Sequence, residues 1–128
     1  MPVAARGRPR CAGCHADLPW VVDVGAAEFA DAVEQSRTPV LVDVWAPWCG
    51  PCRIVSPVVE QLARERAGRL KVAKVNADTA PEVSARHHIT GIPTLLLYVR
   101  GREVARAVGA QPAARLRQWL DHELAAAA

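Results

Sequence analysis

The segment Val40-Leu41-Val42-Asp43-Val44-Trp45 does most to narrow the folds open to this chain. It is rich in β-branched residues, which suit a pleated strand, and it is apolar everywhere except Asp43. A strand with no polar face must be covered on both sides, so this run is expected at the centre of a sheet that other layers enclose. After Ala46-Pro47-Trp48 a helix is predicted from Cys49 to about Arg66. Pro51 is tolerated in its first turn, Pro57 should kink it, and Gly68 should close it.

The flanking sequence supplies the other layers. Trp20 to Val24 reads as a short strand, and Ala26 to Gln35 as a helix with Phe29, Ala30 and Val33 on one face. Leu70 to Val75 is a further strand, Pro81 to His87 a short helix, and Thr94 to Val99 a strand. The turn Arg100-Gly101-Arg102 leads into a hairpin strand over Glu103 to Val108. Pro112 opens a last helix whose Leu116, Trp119, Leu120 and Leu124 fall on one face as core residues, and the C-terminal alanines should fray. Strands alternating with helices, then a hairpin before the last helix, describe an α/β sandwich with a mixed sheet.

Charge narrows the function classes. The 128 residues carry 16 basic and 13 acidic side chains, and Arg6, Arg8 and Arg10 account for the whole excess. The body is therefore neutral, which argues against a phosphate-binding face and hence a nucleic-acid partner. No run reaches the roughly 18 apolar residues that would span a bilayer, and the basic N-terminus lacks the continuous apolar stretch of a secretory signal. A cytoplasmic protein with no membrane partner is expected. Residues 1–18 read as a flexible basic leader carrying a lone Cys-x-x-Cys pair, and residues 19–128 as the folded domain.

Cys49 and Cys52 stand where a strand gives way to a helix. Positions i and i+3 of a first helical turn share a face, so the two sulfurs can bond without any unfolding. The thiolate is the attacking species, and a cysteine of pKa near 8.5 is only about 3% ionised at pH 7. The unpaired N–H groups and dipole of a helix start would favour the anion at Cys49. Cys52, one turn deeper, should be more buried and less ionised, which makes Cys49 the attacking and Cys52 the resolving thiol. A zinc site or two structural thiols would be the other readings, but no second ligand pair follows at a suitable spacing. Asp43 also needs a reason, since an unpaired carboxylate is costly to bury.

The stretch Val42-Asp43-Val44-Trp45-Ala46-Pro47-Trp48-Cys49-Gly50-Pro51-Cys52, with Gly91-Ile92-Pro93-Thr94, resembles the thioredoxin family, and the similarity runs from about Trp20 to Leu124. The resemblance implies the α/β thioredoxin fold, a central mixed β-sheet flanked by helices, and protein-disulfide reductase activity with no bound cofactor beyond a redox-active disulfide. It implies that Pro93 is the family's cis-proline. Trp48, Gly50, Pro51, Ile92, Pro93 and Gly109 would then form a shallow client-binding surface, where the Ile92 backbone can pair with an extended strand. It makes Asp43 the buried acid that exchanges a proton with Cys52, through water, while Lys74 on the next strand balances its charge; a purely structural Asp43–Lys74 ion pair is the alternative. The Gly-Pro dipeptide marks a reductant, and thioredoxins lie near −270 mV against about −120 mV for a strong oxidase. The implied partners are disulfide-containing client proteins and an NADPH-dependent thioredoxin reductase, with the chain acting as a monomer.

Arg10-Cys11-Ala12-Gly13-Cys14-His15 resembles half of the N-terminal zinc module of the second class of bacterial thioredoxins. Structural zinc wants four ligands, and Cys11, Cys14 and His15 supply at most three. A remnant with exposed thiols, an accessory disulfide and a zinc site completed by another ligand or chain all remain open, and no metal is expected. His87 and His88 are expected to solvate a helix end. A rival of another class is a scaffold or zinc-binding module in which the thiols are incidental.

Overall fold

The β-branched runs become five strands in the computed structural model, which describes Arg10 and residues 18–128. They are β1 (Trp20–Asp23), β2 (Val40–Trp45), β3 (Lys71–Asn76), β4 (Thr94–Val99) and β5 (Arg102–Val108). The helices are α1 (Gly50–Glu65), α2 (Pro81–Arg86) and α3 (Ala113–Ala127). The expectations for the leader and for Cys11, Cys14 and His15 lie outside the described residues, apart from Arg10.

The sheet order is β1-β3-β2-β4-β5, with β1, β3 and β2 parallel and β4 and β5 antiparallel to their neighbours. Strand β2 is thus flanked on both edges and covered on both faces, as its unbroken apolar run requires. The two-residue period of a strand divides its side chains. Val40, Val42 and Val44 join Ala73, Val75, Leu96 and Tyr98 in one core, beneath Phe29, Val33 and Val83. Leu41 joins Val72, Leu95 and Leu97 in the other, beneath Val55, Val59 and Leu62 of α1 and Leu116 and Leu120 of α3. Trp119 and Leu124 pack partly buried against this second core. Each fully buried aliphatic side chain contributes on the order of 1.5–3 kcal/mol, so both faces hold the sheet in place. By the same alternation Asp43 and Lys74, paired in register between β2 and β3, share the face that α1 covers.

Three local expectations are corrected. The segment Ala26 to Gln35 is a turn followed by a π-helical turn over Ala30–Glu34, in which the Gln35 N–H donates to the Ala30 carbonyl at 2.9 Å. The buried Lys71 ammonium, seated over the Trp20 ring, donates to the Ala32 carbonyl at 2.6 Å. A side chain inserted in this way takes an acceptor that an ordinary α-helical ladder would use. The helix α3 continues through the alanines to Ala127, consistent with alanine's high helix propensity. His87 does more than solvate a helix end: its Nδ1 donates to the Val83 carbonyl in the last turn of α2 at 2.8 Å, but it is also buried, its Nε2 pairs with the Tyr98 hydroxyl, and its ring meets Phe29 and Tyr98 edge to face. The inward face of α2 carries it into the core, while His88 stays exposed.

The β4–β5 turn has positive φ at both Arg100 (54°) and Gly101 (79°), the pattern of a tight hairpin turn with right-handed strand twist. A Cβ on Gly101 would also meet the Glu34 carbonyl oxygen at 2.5 Å. Gly101→Ala is therefore expected to destabilise the fold by roughly 1–3 kcal/mol, from strain at a left-handed position and displacement of a backbone that cannot swing aside. Denaturant unfolding would check this, with Gly50→Ala, whose added Cβ meets nothing within 4 Å, as the tolerated comparison.

Candidate active site

The carboxyl end of β2 runs through Ala46 and Pro47 into α1, and the site forms at this junction. Cys49 is the N-cap of α1, with extended backbone angles (φ −88°, ψ 107°), and Pro51 occupies the first turn, where its missing N–H costs nothing. Cys49 and Cys52 are joined in a disulfide, with their Cα atoms 5.3 Å apart. The Cys52 backbone N–H donates to Cys49 Sγ at 3.2 Å, so one of the orphan donors of the helix start is aimed at that sulfur. A charge-assisted bond of this kind favours the thiolate once the disulfide is reduced.

The expected difference in depth between the cysteines is not found, because each is 4% exposed. The turn that brings the sulfurs together also tucks Cys49 beside Ala46, with Trp45 and Ile92 packed against the pair. The asymmetry lies instead in polar contacts. Cys49 Sγ receives the helix-start N–H and lies 3.8 Å from the Ile92 carbonyl oxygen.

The Ile92–Pro93 peptide is cis. Pro93 is buried and its carbonyl accepts the Gly109 N–H at 2.9 Å, which brings the end of β5, with Gly109 at φ 89°, next to the Cys loop. Gly50 and Pro51 are exposed at the tip of α1, Ile92 is half-buried, and Trp48 is 70% exposed. The Trp48 indole Nε1 donates to Asp78 Oδ1 at 3.1 Å, which pins the ring to the loop after β3.

Asp43 is 2% exposed, and its Oδ1 accepts no hydrogen bond from the described residues. Burial pushes its carboxyl from 3.8 up to about 6, opposed by the Lys74 ammonium and assisted by the Glu60 carboxylate. Lys74 forms no direct ion pair with Asp43 among the described residues. Its ammonium donates to Ser56 Oγ at 2.6 Å and lies 5.8 Å from the centre of the Trp45 ring. Among the described residues no cluster of three or more His, Cys, Asp or Glu side chains could hold a metal ion, and no helix is long and apolar enough to cross a membrane.

Residues 20–122 match the family profile described as Thioredoxin. The chain is 48% identical over 96 residues to "Thioredoxin 1" of Nostoc sp., covering 75% of this chain and 90% of that one. It is 50% identical over 101 residues to "Thioredoxin" of Mycobacterium tuberculosis, covering 78% and 87%, and 45% identical over 101 residues to "Thioredoxin" of Pyropia yezoensis, covering 79% and 94%. The chain belongs to the thioredoxin family. Its activity is that of a thioredoxin, thiol–disulfide exchange through the Cys49–Cys52 pair, with the redox-active disulfide in place of a bound cofactor.

Two residues of this thioredoxin site carry no advance signal as strong as the cysteines. Asp78 lies in the turn after β3, thirty positions from the indole it holds, and no local pattern links them. Ser56 could be found, since it follows Cys52 by one helical turn on the same face.

The raised Asp43 carboxyl has a consequence for stability. Its folded pKa lies above its unfolded value, so the folded state holds the proton more tightly; the stability this confers is complete below about pH 4 and is lost as pH rises through about 6. Asp43→Asn is expected to be more stable than the wild type at pH 8, by up to about 3 kcal/mol, and to differ little at pH 4. Thermal unfolding at the two pH values would measure the difference.

Proposed function

We propose that this chain reduces protein disulfides with Cys49 attacking and Cys52 resolving, and that the Cys52 N–H aimed at Cys49 Sγ is the observation that carries the assignment of roles. The Cys49 thiolate attacks one sulfur of a client disulfide, the client S–S bond breaks, and its electron pair leaves on the other client sulfur. The Cys52 thiol then gives up its proton and attacks Cys49 Sγ, which frees the client dithiol and closes the Cys49–Cys52 disulfide. Asp43 takes the Cys52 proton through water, and Lys74 balances its charge. A buried carboxylate poised at about 6 suits this role near neutral pH, because it is mostly ionised there yet basic enough to accept a proton.

Clients dock on the surface of Trp48, Gly50, Pro51, Ile92, Pro93 and Gly109. Support comes from the exposed indole beside the cysteines, the Ile92 carbonyl 3.8 Å from Cys49 Sγ, and the Pro93–Gly109 bond that gathers three loops at one end of the sheet. An extended client strand would pair with the Ile92 backbone, which selects for shape more than side-chain identity. Electrons come from an NADPH-dependent thioredoxin reductase, and the chain works as a cytoplasmic monomer whose catalytic domain is residues 19–128. The family match over residues 20–122 and the named relatives support the pairing with client disulfides and a reductase.

Reduction of insulin disulfides, driven by a thioredoxin reductase and NADPH, tests the reading. Cys49→Ser is expected to abolish turnover, and Cys52→Ser to accumulate a mixed disulfide with the client; activity surviving in Cys49→Ser would leave the thiols incidental. Asp43→Asn is expected to slow turnover roughly 10- to 100-fold. The wild-type resolving step should speed up as pH rises through about 6, when Asp43 becomes able to accept a proton, and the Asn variant should lack that limb. An unchanged pH profile would remove Asp43 from proton transfer.

A further inference from the structure

Ser56 follows Cys52 by four positions on α1, so the two side chains occupy one helix face. That face borders a cavity of about 130 Å³ whose walls include Trp45, Cys52, Arg53, Ser56 and Lys74. The Lys74 ammonium reaches this cavity from β3 and donates to Ser56 Oγ at 2.6 Å, close to the Trp45 ring. Its register neighbour on β2 is Asp43, whose buried Oδ1 accepts nothing from the described residues.

This partnership is unexpected on charge alone. An ammonium has three donors, and a buried carboxylate is a stronger acceptor than a hydroxyl. With Asp43 and Lys74 side by side on the same sheet face, an ammonium left to itself would close onto the carboxylate. The hydroxyl of Ser56 and the ring of Trp45 supply the competing anchor.

We propose that Ser56 is a positioning residue, whose hydroxyl holds the Lys74 ammonium at the cavity wall beside Cys52 and keeps it from pairing with Asp43. The charged groups that act on Asp43 are Lys74 from β3 and Glu60 from α1, while β4 places apolar Leu95 opposite it. An ammonium bonded to the carboxylate would make it a weaker base. Held at the cavity, the ammonium still offsets charge at Cys52 and Asp43 without claiming the oxygen that must take the proton. The functional half of this inference rests on the reading that Asp43 exchanges a proton with Cys52.

The test is a ¹³C NMR titration of the Asp43 carboxyl in the oxidised protein. Ser56→Ala, which leaves a good helix former in α1, is expected to lower the Asp43 midpoint by about one pH unit. For scale, bringing a unit charge from about 6 Å to about 4 Å of a carboxylate at an effective dielectric of about 20 lowers its midpoint by about that much. Ser56→Thr retains the hydroxyl and should restore the wild-type midpoint. In a Lys74→Met background Ser56→Ala should have no effect, since nothing remains to be positioned. An unchanged or raised midpoint in Ser56→Ala, or an equal fall without Lys74, would overturn the proposal. The Asp43→Asn rate profile decides the proton-transfer reading separately, and the NMR midpoint decides the role of Ser56 whichever way that falls.

Discussion

The structure depends on one strand being buried from both sides. Strand β2 has no solvent face, so a layer is needed above it and below it, and the sheet must extend past it in both directions. Those demands bring α1 and α3 to one face and the Phe29 turn and α2 to the other. They also determine where chemistry is possible. A buried strand that leads into a helix has its carboxyl end as the first point where the chain meets solvent, and there the helix start offers unpaired N–H groups.

The cysteines use that junction, and the charged pair beneath them uses the layer itself. One N–H from the first turn of α1 is directed at Cys49, so the preference for which sulfur carries negative charge is built into the backbone. Asp43 lies in the apolar layer under α1, where the low dielectric that raises its carboxyl also lengthens the reach of the half-buried Lys74 charge beside it. Packing and reactivity are therefore coupled. The same helix that buries Val55, Val59 and Leu62 sets the distance between the disulfide and the acid below it.

Much of this was legible in the chain. The five strands, the long helix from the Cys pair and the last helix follow from β-branched runs, Pro and Gly punctuation and a period near 3.6. The cis form of Pro93 came from family resemblance, because local sequence favours trans. Three kinds of feature were hidden. The π-helical turn over Ala30–Glu34 depends on Lys71, a long-range partner whose ammonium reaches the Ala32 carbonyl. His87 is core because of which face of a six-residue helix turns inward, and six residues hold too few turns to show a period. The equal burial of Cys49 and Cys52 reflects loops that converge from other strands, which depth along one helix does not register.

On the proposed client surface, the bond from Trp48 to Asp78 would affect how clients are held. An unanchored indole at the rim would surrender its rotamer freedom each time something settled on it, and that loss would count against every complex alike. Fastened to the loop after β3, the ring would meet each visitor as a fixed plate. What separates one visitor from another would then be the visitor's own shape and ordering, so a rigid, undemanding platform of this kind could serve many unlike proteins without being remade for each.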